Sequence, residues 1–498
     1  MRTSGYVGAH RAAVTAVAAA LMMTVLGVGV ASASPANSGT WPYPNGDLSN
    51  ARDAAGSTIS LSNVSTLKKA WSFELSGKAT KSVGGYGTLA ANPIVVNGVV
   101  YMQDLHSNVY ALSLATGKLI WSYKVDKDEL SGPGPNGVAV VNGDVYGATP
   151  KSVFALNATT GKKVWSNDHL LHSGHVPGGG LLLALNAATG KKIWTFKTEP
   201  KDDAGPAALT LGGGGAWETP LVSSDGSVSF GIGNPYQSEE GAMNTPSQAL
   251  YTDSVVNLNA ATGKLNWYYQ GISNDFMDHD MQTSPISASA KGVPVVLGSG
   301  KLGIVYEMNA ATGKLLWKTP VGVHNGTDYD GLHALEGKGA AKLPLTYEPG
   351  AYGGVLTNMA LSGNTVYAAT INLAFTLTTG ASVNGLPAGT KGKKVKLMGE
   401  VEALNVTTGK VEWATTVNGM PDGATTVSNN LVFTTLFQGE LVALNSSTGA
   451  IVYTAQLPRS TNAPIAIAGN TIIVAAGGPK YGSNTGPSQI VAYTIPAK

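Results

Sequence analysis

Seven near-copies of one ten-residue phrase constrain this chain more than any other feature. LSLATGKLIW ends at Trp121, LNATTGKKVW at Trp165, LNAATGKKIW at Trp194 and LNAATGKLNW at Trp267. MNAATGKLLW ends at Trp317, LNVTTGKVEW at Trp413, and a worn copy, LNSSTGAIVY, at Tyr453. The turn glycines fall at 117, 161, 190, 263, 313, 409 and 449, at spacings of 44, 29, 73, 50, 96 and 40 residues. Periodicity near 40–50 residues is that of a four-stranded propeller blade.

Residues 91–121 show the unit: four β-branched or aromatic runs (NPIVVNG, VVYMQD, NVYALSL, LIWSYKV) separated by Asn-Gly, a His-Ser-Asn cluster and the Ala-Thr-Gly-Lys turn. Gly in the short loop takes positive φ without strain, and the Trp that follows offers a flat surface to the next unit. One such sheet cannot bury both faces, so the units must stack into a ring. Counting them predicts an all-β, eight-bladed propeller of four-stranded antiparallel blades. After Tyr453, APIAIAG, NTIIVAAGG and QIVAYTI form a last unit without a Trp strand, and LKKAWSFEL (67–75) is a Trp strand without a unit. The N-terminal strand is therefore expected to complete the C-terminal blade and close the ring. The 29-residue interval is too short for a full unit, so the third blade is expected to be truncated, without its inner two strands. The 73- and 96-residue intervals read as single blades with loops at 197–216, 321–352 and 381–396.

With 64 Gly, 12% charged and 43% hydrophobic residues, the chain is too apolar for disorder and too rich in Gly for a helical protein. Residues 1–33 read as a secretory signal: Arg2 and Arg11, an apolar core at 12–30, then Ala-Ser-Ala. Its alternative is a retained anchor, since about 19 apolar residues can span a bilayer. Cleavage leaves a secreted domain at 34–498 with no transmembrane segment. Its Lys+Arg and Asp+Glu balance at 30 each, so no basic stripe suits nucleic acid. The absence of Cys excludes disulfides, thiolate metal sites and a covalently attached c-type haem.

The unusual polar residues gather in the fourth and fifth units. Trp217 follows four glycines in GGGGAWETP, Asn234 lies in FGIGNPYQ, and Asp275, Asp278 and Asp280 crowd NDFMDHDMQ; Lys301 sits on the bend of GSGKLGIVY. Three Asp and an Asn oxygen are hard ligands suited to Ca²⁺, and a Trp face beside a cation and a Lys makes a slot for a flat anion. Solvated turns rich in Asp are the plainer reading. His169, His172 and His175 are either a transition-metal set or an exposed connector, and His279 is either a proton shuttle or a surface neighbour of two Asp. The glycine run 212–215 lacks a following G-K-[ST], so it is no phosphate loop.

Together, residues 40–498 resemble the quinoprotein dehydrogenase family, eight-bladed propellers that use pyrroloquinoline quinone (PQQ). The repeats resemble its tryptophan docking motif. The resemblance implies that Trp217 stacks under the quinone, Asn234 is a metal ligand, and Asp278 is the catalytic base. It further implies that Asp280 adds a ligand where the ion is a lanthanide rather than Ca²⁺, and that Lys301 holds the quinone carbonyls. Asp278 would take a proton from a substrate hydroxyl as hydride passes to the quinone. Substrates would be alcohols, polyols or related hydroxyl compounds, and electrons would leave to an external acceptor. The sequence departs from the pattern in four places. Met277 stands for a Trp, Asn136 for an Arg, the adjacent Cys pair is missing, and the Glu that completes the metal site belongs to the truncated third blade. A non-catalytic envelope scaffold or binding protein is the alternative for such a chain.

Overall fold

The repeated phrase folds as its residue types require. In LLWKTP and the turn before it, the Asn309 side-chain oxygen accepts the backbone N–H of Ala311 and Thr312 and the Thr312 hydroxyl, at 3.0–3.1 Å. The Gly313 N–H returns to the Asn309 carbonyl at 2.9 Å, and Gly313 sits at φ +69°. The same Asn, Thr and Gly bonds recur at 157–161, 186–190 and 259–263. Each turn therefore delivers its next strand at one fixed angle.

A computed structural model describes residues 39–83, 86–125, 137–168, 180–199, 213–235, 249–273, 275–326, 345–377, 398–480 and 484–496. Within them, strands form seven four-stranded antiparallel sheets and two two-stranded ones. Around the ring, the first and second positions are the sheets at 94–123 and 139–167, and the fourth to seventh are those at 221–270, 286–320, 360–417 and 426–456. The eighth joins three C-terminal strands to Lys68–Glu74, which pairs antiparallel with Gln489–Thr494. The third position holds only a hairpin, Leu181–Leu185 with Lys192–Lys197. This corrects the expected eight blades to seven, the position expected to be truncated holding only two strands. Among the described residues, the third position has one turn and its two strands.

Tryptophans link these positions in sequence. The indole N–H of Trp71 donates to the Leu114 carbonyl, Trp121 to Ala158, Trp165 to Ala187 and Trp194 to Ala260, all at 2.8–2.9 Å. Trp267 donates to Ala310, Trp317 to Val406 and Trp413 to Ser446 over the same range. In the worn copy the Tyr453 hydroxyl donates to Leu67 at 3.0 Å, which closes the circle at the N-terminal strand. The apolar core lies between neighbouring sheets: Leu221, Val255 and Trp267 of the fourth pack with Val296, Tyr306 and Met308 of the fifth.

The segment at 41–58 runs across the ring and bonds to six of its positions. Trp41 exchanges both backbone bonds with Val95, and Leu48, Ser49, Ala51 and Arg52 accept from Val222, Ser287, Leu361 and Val427 in turn, before Thr58 donates to Gly469. Arg52, fully buried, donates to Asn45, Thr425, Thr426 and Ile465 at 2.7–2.9 Å and lies 5.6 Å over the Trp41 ring. A charged fork that fills its donors this way ties the seventh and eighth positions to the crossing segment. A further two-stranded element pairs Leu345–Tyr347, which lies between the fifth and sixth sheets in the chain, with Phe375–Leu377, which lies between two strands of the sixth. No helix of the described residues is long and apolar enough to cross a membrane. The segment expected to be a secretory signal lies outside them, as do His169, His172, His175 and Asn136.

A methyl on Gly313 would lie 2.6 Å from the Trp267 ring, whereas one on Gly98, also at positive φ, would meet nothing within 4 Å. Gly313→Ala should therefore cost ~2–4 kcal/mol and Gly98→Ala only the backbone penalty of ~1 kcal/mol. Thermal melts of the two variants decide this, and equal losses would remove the docking contact from the explanation.

Candidate active site

Three strand ends meet at one mouth of the channel. Residues 213–217 lead into the fourth sheet, Asn234 follows its strand Ser227–Ile232, and Lys301 lies between Val293–Gly298 and Ile304–Asn309 of the fifth. The connection at 271–285 carries the Asp cluster between the two sheets. Asp275 shapes this connection from within: its carboxylate accepts the backbone N–H of Met277 and of His279, each at 2.7 Å. Asp278 is thereby held at φ +63°, a left-handed conformation that a non-glycine residue keeps only when its surroundings fix it.

All five expected site residues come together here. The Lys301 ammonium lies 2.8 Å from Asp278 Oδ2 and 2.6 Å from Asp280 Oδ2. Asp280 Oδ1 accepts the Asn234 backbone N–H at 2.7 Å. At Gly233 a Cβ would stand 2.5 Å from Asp280 Oδ1 and 2.6 Å from the Trp217 ring, so the indole and the carboxylate approach each other only because that position has no side chain. Burial raises the Asp278 carboxyl to about 7, with Lys301 opposing the rise and Asp280 adding to it. Burial alone would lower Lys301, but Asp278 and Asp280 raise it further and keep the ammonium charged.

His279 is neither a surface neighbour nor within the Lys301 cluster. It is 3% exposed, its ring stands edge-on to Tyr347 at 5.2 Å, and Nε2 faces the Pro349 carbonyl at 3.4 Å. Tyr347, from the inserted two-stranded element, donates its hydroxyl to the Met277 carbonyl at 2.8 Å and so braces the loop from the far side.

Two acids at this mouth carry no signal in the sequence. Asp253, 1% exposed, precedes strand Ser254–Asn259 and has no partner for either oxygen among the described residues. Burial raises it well above the usual carboxylate range, helped by Asp275, Asp280 and Asp278 and opposed by Lys301. It lines a cavity of about 10 Å³ with Asp280, His279 and Tyr306, room for about one water. Glu199, 2% exposed, likewise has two unpartnered oxygens, and burial pushes it up to about 7. It lies in a stretch that reads in sequence as an insertion, and Asp253 stands alone in YTDSVV; neither belongs to a motif.

The donors fit a hard cation and a flat anion in kind. Asn234 Oδ1 is buried and unpartnered among the described residues, Asp280 offers a carboxylate beside it, and the Trp217 face and Lys301 ammonium flank both. Among the described residues no three His, Asp or Glu side chains already converge as an ion-holding set. Against this geometry stands one family: the β-propeller domain of the PQQ-using glucose/ethanol/alcohol dehydrogenases, whose model matches residues 41–144 and 176–322, about half of the chain. The chain belongs to this family. A second model, of the outer membrane protein assembly factor BamB, matches residues 397–493. The quinohemoprotein alcohol dehydrogenase of Comamonas testosteroni is 27% identical over 384 residues, which cover 64% of this chain and 52% of that relative. Alcohol dehydrogenase ADH-IIG of Pseudomonas putida is 30% identical over 307 residues, 50% of this chain and 41% of the relative. The chain thus spans about half the length of these family members or less. The crystal structure of the Comamonas protein superposes with a TM-score of 0.77 at 24% identity, covering 94% of this chain and 82% of that one. A europium-containing methanol dehydrogenase gives 0.72 at 19%, covering 92% and 98%. At these identities the two structures share the fold.

Glu199 ionises near 4.5 when unfolded and about 7 when folded, so the folded state binds the extra proton and stability falls as pH rises through that window. In the presence of a chelator, raising pH from 5 to 8 should cost ~2–3 kcal/mol through this group. Glu199→Gln should flatten that slope in chemical denaturation. An unchanged slope would mean that the carboxyl finds a partner in solution.

Proposed function

We propose that this chain is a secreted PQQ-dependent dehydrogenase that oxidises an alcohol, polyol or related small hydroxyl compound. The arrangement that supports this reading most directly is Lys301 bridging Asp278 and Asp280 beside the Trp217 ring. When bound, PQQ supplies the two-electron acceptor for a hydride from the carbinol carbon. Trp217 would lie against its ring plane, Lys301 would face its oxygens, and Asn234 and Asp280 would hold Ca²⁺ or a lanthanide ion beside it. One structural neighbour is a europium-containing enzyme, in keeping with the second ion.

The chain's own residues supply the acid–base chemistry. Asp278, raised toward neutrality, can accept a hydroxyl proton on a carboxylate oxygen and release it again at ordinary pH. Lys301 stays cationic and holds that carboxylate in place, while offering positive charge where an oxygen becomes negative. Tyr347 and Asp275 fix the loop so that Asp278 does not have to be ordered at each turnover. With no Cys to attach a c-type haem, electrons would pass to an external acceptor. The alternative, an envelope scaffold, draws support from the BamB match, but residues 397–493 contain none of the site residues.

Asp278→Asn should reduce turnover of alcohols in dye-reduction assays by about 10²–10⁴-fold. Quenching of tryptophan fluorescence by PQQ should persist. Unchanged turnover in that variant would sink the assignment of the base.

A further inference from the structure

Glu199 presents a problem that the site as described leaves unsolved. It follows the strand Lys192–Lys197 of the third-position hairpin, is 2% exposed, and has two carboxylate oxygens without a partner among the described residues. Among the described residues no neighbouring charge acts on it, and burial displaces its ionisation. A buried carboxylate without partners is expensive, and proteins keep one chiefly where a proton or a cation completes it.

Its position says which. A Cβ on Gly213 would lie 2.7 Å from Glu199 Oε1 and 2.7 Å from the Asn234 carbonyl oxygen, and one on Gly214 would lie 3.3 Å from Glu199 Cγ. Gly214 in turn donates to the Asn234 carbonyl at 2.9 Å. Only a two-glycine step therefore separates Glu199 from Asn234, whose side-chain oxygen is likewise buried and unpartnered among the described residues, as are those of Asp253 at the same end of the fourth sheet. The two residues come from different ring positions, and both offer hard oxygen.

We propose that Glu199 is a ligand of the cation that Asn234 and Asp280 bind, supplying the carboxylate from the surviving strand of the shortened third position. This rests on the reading of the site as one that holds a metal ion and a quinone. Glu199 then has a binding role rather than an idle charge, and the chain end of the hairpin becomes part of the site.

The test uses the full chain, stripped of metal and titrated with Tb³⁺ with and without PQQ. Tryptophan-sensitised Tb³⁺ luminescence reports affinity, and lifetimes in H₂O and D₂O count the waters on the ion. Glu199→Gln should weaken binding by about tenfold or more and admit additional inner-shell water. Glu199→Asp, which keeps the charge on a shorter arm, should fall between. In chelator at pH 8, Glu199→Gln should melt no lower than the wild type, which excludes misfolding as the cause. Equal affinity and equal water count in Glu199→Gln, with binding lost in Asn234→Ala, would overturn the role of Glu199 and leave the reading of the site intact. Absence of Tb³⁺ binding by the wild type, with PQQ and without it, would overturn both.

Discussion

The contact on which this structure depends is an indole ring laid flat on a glycine of the next repeat. Seven of the eight links around the ring pair a Trp N–H with a carbonyl in the neighbouring turn. In each of those turns a Cβ on the glycine would fall 2.5–2.7 Å from the ring. The glycine serves two needs at once, a positive φ for the tight turn and an open face for the indole. A single hydrogen bond of this kind contributes only ~1 kcal/mol, and the buried ring adds a few more. What makes the links decisive is that they fix the angle between sheets, so the ring closes after a set number of positions.

Closure in turn determines where charge can be buried. The ring gathers strand ends at one mouth, where Asp253, Asp278 and Asp280 surround a single ammonium, Lys301. The excess of carboxyl over ammonium means that at least one acid must hold its proton or meet another cation. Burial and its acidic neighbours push Asp253 toward the former, beside a cavity large enough for about one water. Beneath the Trp217 segment, the Glu218 carboxylate accepts from Asn358 at 2.8 Å, and Asn358 in turn donates to Asn45 of the crossing N-terminal segment at 3.2 Å. The floor of the site is thus tied to the plug that crosses the ring, and the two cannot move independently.

Repetition made the fold legible in the sequence. The turn phrase carries its own geometry, and the unpaired Trp strand at 67–75 requires a partner that only the C-terminal unit lacks; the pairing of Trp71 with Ala492 follows. The site was legible where a residue type is rare in its surroundings, as with Trp217 after glycines or Lys301 on a Gly bend. It was not legible where function depends on what is missing around a residue. Nothing in TFKTEP says that Glu199 will be shut away from every donor among the described residues, and nothing in NDFMDHD separates Asp275, which accepts backbone amides, from Asp278, which pairs with Lys301. The span at 41–58 has no copy of the repeated phrase, yet its backbone bonds reach six positions of the ring. Such bonds depend on carbonyls and amides, which every sequence has, and so leave no mark in residue types.

The shortened third position shows how ring closure and site construction separate. Docking uses the outer strand and its turn, and the hairpin retains both: Trp165 donates to its Ala187, and its own Trp194 donates to Ala260. Ring closure therefore does not require the two inner strands. What the hairpin brings to this position is a close approach to the segment that leads into the fourth sheet. There a Cβ on Gly180 would collide with the Gly214 backbone and crowd Thr198, and Glu199 follows directly. Truncation of one repeat thus leaves the chain of docking bonds unbroken, with Glu199 set beside the Gly213–Gly214 step.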